Sequence, residues 1–175
     1  MTRRHLAMPR IWLMTDERQG EALWRALRTL PPGAGVVVRH YSLSLKARQA
    51  LSRRIAAQGH FVAFSGSEAA ALRARARAIY GAGTRAGRLP RVHPVHDRRE
   101  IVQAERNGAT LLMLSPVFPT RTHPGARTLG PVRFGLLARR ARTPVIALGG
   151  MTERRFKRLG RQAAGWAAID AWIRT

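Results

Sequence analysis

The sequence predicts a closed (βα)8 (TIM) barrel, and three observations carry that expectation. Short apolar segments alternate with helical ones eight times between Ile11 and Ile169. Two of these segments, Leu111–Leu114 and Val145–Leu148, are almost wholly apolar, as strands covered on both faces are. The second runs straight into Gly149-Gly150, a turn with open backbone N–H groups at the carboxyl end of a strand, where such barrels hold their ligands.

The elements follow in order. Ile11–Met14 reads as the first strand, ending in Thr15-Asp16, and 21–30 as an amphipathic helix stopped by Pro31-Pro32-Gly33. The β-branched run 36–41 is the second strand. Ser44 caps a helix that reaches Gln58, with Gly59 as its stop. The third strand is 60–64, followed by Ser65-Gly66-Ser67 and an alanine- and arginine-rich helix at 68–77. Ile79-Tyr80 is a short fourth strand, and the turn-rich 81–87 leaves little room for a helix, so distortion is expected around the fourth βα unit. The fifth strand, 92–96, precedes a helix capped by Asp97 and ended by Gly108. Two further units follow, then an eighth strand at 165–169 and a stub helix at 170–174.

Composition bounds the function. The 175 residues make one domain, 1–175, with 1–9 expected as a flexible tail, and the barrel must be compact. No apolar run approaches the roughly 20 residues of a membrane span, and no secretory h-region opens the chain. Zero cysteines exclude disulfides and thiolate chemistry and agree with a cytoplasmic location. The net charge of +23 rests on thirty arginines and two lysines. They are scattered along the chain, which reads as solvated helix faces; a nucleic-acid-binding arm would concentrate them.

One string is specific. Residues 116–130 read PVFPT-x-T-H-PGA-x-x-LG, and TPVIALGGM follows at 143–151. Together they resemble the thiamine phosphate synthase/TenI family of (βα)8 barrels, over about 88–172. In that family a loop after strand six and a glycine turn after strand seven hold thiazole phosphate. The resemblance therefore implies that Thr120, Thr122, Gly149 and Gly150 bind substrate phosphate, with Ile169 and Asp170 completing the site. Asp170 stands where a small residue is usual, and a carboxylate repels a phosphate unless neutralised.

The resemblance also assigns catalytic candidates. His123 replaces the lysine that follows the two threonines, and imidazole is only partly charged near neutral pH. Arg39 matches the arginine that orients the pyrimidine diphosphate, with Val37 and Tyr41 in place of its polar partners. His96 matches a strand-five histidine, with Pro94 for its serine. Plain alternatives stand beside each: Arg39 as a surface charge, His96 and His123 as structural or exposed histidines, the glycine turn as packing alone.

Metal is the largest departure. The family holds Mg²⁺ through aspartates after strands three and four, and the resemblance implies that cofactor. Here Ser65-Gly66 replaces the first pair, no carboxylate lies between Ala69 and His96, and no metal ligand is assigned. Glu68 is the one nearby carboxylate, out of register.

Three readings follow. The first is a thiamine biosynthesis transferase that joins hydroxymethylpyrimidine diphosphate to thiazole phosphate. The second is a TenI-like paralogue without synthase activity that binds or isomerises a small phosphate. The third is a basic nucleic-acid-associated protein. Partners are accordingly phosphorylated thiazole and pyrimidine substrates, with no membrane and nucleic acid disfavoured; a homo-oligomer is left open.

Overall fold

A computed structural model describes residues 8–83, 87–120, 125 and 127–172. The eight strands are β1 (Ile11–Met14), β2 (Gly35–Val38), β3 (Phe61–Ser65), β4 (Ala78–Tyr80), β5 (Arg91–Val95), β6 (Leu111–Leu114), β7 (Val145–Leu148) and β8 (Gly165–Ala168). All pair in parallel in chain order, and β8 returns to β1, so the sheet closes into the expected barrel. Among the described residues six α-helices lie outside it: α1 (Ala22–Thr29), α2 (Leu45–Ala57), α3 (Glu68–Arg73), α4 (Arg98–Arg106), α5 (Gly130–Arg140) and α6 (Glu153–Leu159).

Strand alternation sorts the core into layers. Trp12, Met14, Val37, Phe61, Ala63, Leu111, Met113 and Ile146 fill the barrel interior, while Leu13, Val36, Val62, Phe64, Leu112 and Leu114 face the helices. Trp12 is wholly buried and meets Phe61 edge to face at 5.7 Å. A β-carbon on Gly35 would collide with the Trp12 indole, so the first residue of β2 must be glycine for that ring to fit.

Helix starts follow the sequence. Ser44, Ser67, Asp97 and Thr152 each accept the backbone N–H three residues on, satisfying donors that the first turn leaves unpaired. Asp16 and Gln19 form a reciprocal capping box around a single 3-10 turn, Glu17–Gln19.

Three boundaries differ from the sequence reading, and the fourth βα unit is irregular as expected. The strand expected to reach residue 41 ends at Val38, because the Arg39 N–H leaves the ladder for the Thr15 hydroxyl at 3.1 Å. The helix expected to reach residue 77 ends at Arg73; Ala76 N–H donates to Ala71 O across Arg75, whose φ of 54° closes the helix in a left-handed turn. β4 has three residues and no helix follows it among the described residues, which is the irregular fourth unit. There the Glu68 carboxylate accepts the Arg88 and Leu89 N–H groups at 2.6 and 2.9 Å and holds the loop into β5. The stub helix expected at 170–174 is a turn at residues 171–172, and 173–175 lie outside the described residues.

Of the expected tail, residues 1–7 lie outside the described residues. Met8 already packs against the barrel interior, and the Pro9 carbonyl accepts the Trp12 indole N–H at 2.7 Å. No helix among the described residues is long and apolar enough to cross a membrane.

Candidate functional site

Two loops far apart in sequence meet at the carboxyl end of the barrel. The Val117 N–H donates to Leu148 O at 2.9 Å, and the Phe118 N–H donates to Gly149 O at 3.1 Å, stitching the β6–α5 loop to the turn after β7. That turn needs glycine twice. Gly149 has φ 94° and Gly150 φ 58°, a region that L side chains rarely adopt. A β-carbon on Gly149 would lie 2.7 Å from Pro116 Cα, and one on Gly150 would press on the Pro119 carbonyl.

The stitched loops and the end of β8 enclose a cavity of about 270 Å³. Its lining brings together Thr120, Gly149, Gly150, Ile169 and Asp170, which come from three separate connections. No backbone hydrogen bond among the described residues uses the N–H of Gly150 or Met151, both of which line the cavity. Thr122 and His123, expected beside Thr120, lie outside the described residues.

The sequence reading missed a cation in this cavity. Arg155, three residues past the Thr152 cap, donates from Nη1 to the Gly150 carbonyl and lies over the Phe118 ring at 4.7 Å. The guanidinium therefore braces the glycine turn and sets a fixed positive charge against the cavity wall. Its legible signal was the Thr-x-x-Arg spacing, which returns the side chain of the helix's first turn to the turn before it.

A second omission is Gln19. It is buried, and its amide donates to the Met14 and Ile169 carbonyls at 3.5 and 3.2 Å while its oxygen accepts the Asp16 N–H. One side chain thus ties the end of β1 to the end of β8 and fixes where Ile169 enters the cavity. Asp170 is also less isolated than its position suggested. Arg18 is held protonated chiefly by hydrogen bonding to Asp16, and Asp170 adds to that pull.

Arg39 lies on the β1–β2 side of the mouth. Its Nε donates to Thr15 O at 3.3 Å, and its terminal nitrogen is 3.9 Å from Asp16, whose other partner is Arg18 at 2.7 Å. The Arg18 hydrogen bond, opposed by burial and aided by Arg39, brings Asp16 down to about 2. Thr15 is wholly buried and also meets His40 Nδ1 at 3.0 Å; burial pushes that imidazole down, toward the neutral form. Tyr80, the last residue of β4, lies in the barrel interior near Arg39, and burial pushes its phenol up to about 12, so it stays neutral.

His96 is placed elsewhere. It is exposed, its Nδ1 is 2.8 Å from Glu100 in the first turn of α4, and it does not line the cavity. Three carboxylates near the mouth are already engaged. Glu68 is occupied by two loop amides, Asp16 by two guanidinium groups, and Glu17 by the Ser42 N–H at 2.7 Å. No group of three histidines or carboxylates that could hold a metal exists among the described residues.

Comparison with known proteins gives the geometry a context. The family model described as thiamine monophosphate synthase matches residues 74–172. A thiamine-phosphate synthase of Chlorobium luteolum is 42% identical over 74 residues, covering 41% of this chain and 35% of that protein. A putative thiamine-phosphate synthase 2 of Aquifex aeolicus is 36% identical over 79 residues, covering 45% and 42%. The chain thus spans well under half the length of the curated relatives it matches. A solved thiamine phosphate pyrophosphorylase of Pyrococcus furiosus superposes with TM-score 0.74 at 20% identity, over 93% of this chain and 86% of that one, a likeness of fold.

Proposed function

The chain belongs to the thiamine monophosphate synthase family, and from that premise we propose that it joins hydroxymethylpyrimidine diphosphate to thiazole phosphate, yielding thiamine phosphate and diphosphate. The observation that supports this reading is the cavity in which Thr120, Gly149, Gly150, Ile169 and Asp170 converge. Its backbone amides and the braced Arg155 guanidinium take the thiazole phosphate. Thr120 contacts the thiazole side, and the family resemblance assigns Thr122 and His123 to the same substrate.

The reaction breaks the carbon–oxygen bond to diphosphate and forms a carbon–nitrogen bond from the thiazole nitrogen to the same methylene carbon. It asks the protein for positioning and for stabilisation of the leaving charge. Positioning falls to the cavity. Arg39, steadied by Thr15 and Asp16, supplies charge toward the diphosphate, with the neutral Tyr80 phenol beside it.

Mg²⁺ is the family's aid to diphosphate departure, and Glu68 and Asp16 are here engaged by loop amides and guanidinium groups. That engagement favours a second reading, a TenI-like paralogue that binds thiazole phosphate without synthase activity.

Purified protein given both substrates and Mg²⁺, with product followed by chromatography, separates the two. Thiamine phosphate formed above the uncatalysed rate supports the transferase. Calorimetric binding of thiazole phosphate alone, weakened by Arg155→Ala and abolished by Gly149→Asp, with no turnover, supports the paralogue. Absence of both turnover and binding sinks the cavity assignment. Arg39→Ala weakens pyrimidine diphosphate and spares thiazole phosphate; equal loss of both refutes its role.

A further inference from the structure

We propose that the seam between α4 and α5 docks an acidic amphipathic helix contributed by another protein. The seam is a groove of about 730 Å³, separate from the barrel mouth, with Ile101, Val102 and Leu137 along its apolar floor. Four arginines rim it, Arg98, Arg106, Arg140 and Arg142. None of the four has an ion-pair partner among the described residues. The one acid in the lining, Glu105, is consumed by the Arg142 and Thr143 N–H groups at 2.6 and 3.0 Å.

This seam differs from its counterpart across the barrel. Between α2 and α3, Gln49, Ser52 and Arg53 donate to the carbonyls of Ala70, Ala74 and Arg73 and sew the two helices together. No hydrogen bond among the described residues joins α4 to α5. Val102 in the lining is 37% exposed, and on α5, outside the lining, Val132 and Leu136 are 77% and 55% exposed. Exposed apolar side chains beside an open groove mark a docking surface.

Charge selects the occupant. A second copy of this chain would bring another +23 against the first, so self-docking is opposed. An acidic segment gains from every rim arginine. The apolar floor offers nothing to a phosphate backbone, whereas a helix with one apolar face fills it. The helices that form the walls, nine and eleven residues long, run for about 14–16 Å, room for about ten residues of a docked helix.

The test uses the full chain and two fluorescent peptides of identical acidic, leucine-containing composition. One is patterned to place its leucines on a single helical face; the other is permuted to scatter them. At about 150 mM salt, where long-range attraction is screened, the patterned peptide binds at least about tenfold more tightly. Val102→Asp, and separately Arg106→Glu with Arg140→Glu, erase that preference. Leu72→Asp, more exposed than Val102 and on α3, leaves it within about twofold. Equal binding of the two peptides overturns the proposal. So does equal damage from Leu72→Asp, or an oligonucleotide that displaces the patterned peptide and is itself indifferent to Val102→Asp.

Discussion

Replacing Gly149 with alanine tests the close approach on which the cavity depends. The new methyl would lie 2.7 and 2.8 Å from Pro116 Cα and Cβ and 3.2 Å from Val117 N. Ordinary carbon–carbon contact is about 3.5–4.0 Å, so the β6–α5 loop must retreat by about 1 Å. Overpacking of this kind costs about 1–3 kcal/mol. The φ of 94° adds about 1–2 kcal/mol for any L side chain. The expected loss is therefore about 2–5 kcal/mol, a large part of a typical folding free energy. Gly33→Ala is the control, because Gly33 has φ 74° and nothing within 4 Å of its would-be β-carbon. It carries the conformational cost alone. Urea unfolding of both variants, followed by circular dichroism, gives the difference directly. Gly149→Ala should lose at least about 1 kcal/mol more than Gly33→Ala, and calorimetry should show weakened thiazole phosphate binding. Equal losses in the two variants would refute the steric argument, since the loops would then not be in contact.

Three further outcomes follow from single side chains. Gln19→Ala strands the Met14 and Ile169 carbonyls and should lower stability by about 1–3 kcal/mol in the same unfolding experiment; Gln19→Glu, which keeps the size but lacks the amide donor, should not rescue it. Asp16 titrates at about 2 in the folded chain against an ordinary 3.8. A depressed carboxylate stabilises the fold above its unfolded value and loses that contribution as pH falls from about 4 toward 2. Asp16→Asn should therefore flatten the stability–pH curve in that window and leave its shape near neutrality unchanged. Glu68→Ala frees the Arg88 and Leu89 amides, so limited trypsin digestion should cut at Arg88 sooner than in the parent chain, and unchanged cleavage would show that the loop is held by something else.

The barrel was legible because its signals are local. Continuous apolar runs such as Leu111–Leu114 and Val145–Leu148, caps such as Ser44 and Asp97, and the glycine stop at 108 act through neighbours in the chain. The misplaced boundaries came from partners remote in sequence. Val38 ends β2 because Thr15 takes the next N–H, and α3 closes at Arg73 because the chain must turn into β4, where the Arg77 N–H donates to Val62 O. Periodicity carries no record of such bonds.

The candidate site divides in the same way. Gly149 and Gly150 were nameable because a glycine turn after an apolar strand has a meaning of its own, and Thr120, Ile169 and Asp170 through the family resemblance. Arg155 looked like one arginine among thirty, and Gln19 carried no motif of its own. Their roles exist only where the Gly150 carbonyl, the Phe118 ring and the Ile169 carbonyl come within reach. Conversely, His96 and Glu68 bore chemically suggestive side chains, but Glu100 and the loop amides claim them. By itself the order of residues determined the strand and helix alternation and the place of the glycine turn. Closure of the ring decided which charges stand free and which are spent holding loops, because a side chain's availability depends on every group that folding brings within about 3 Å of it.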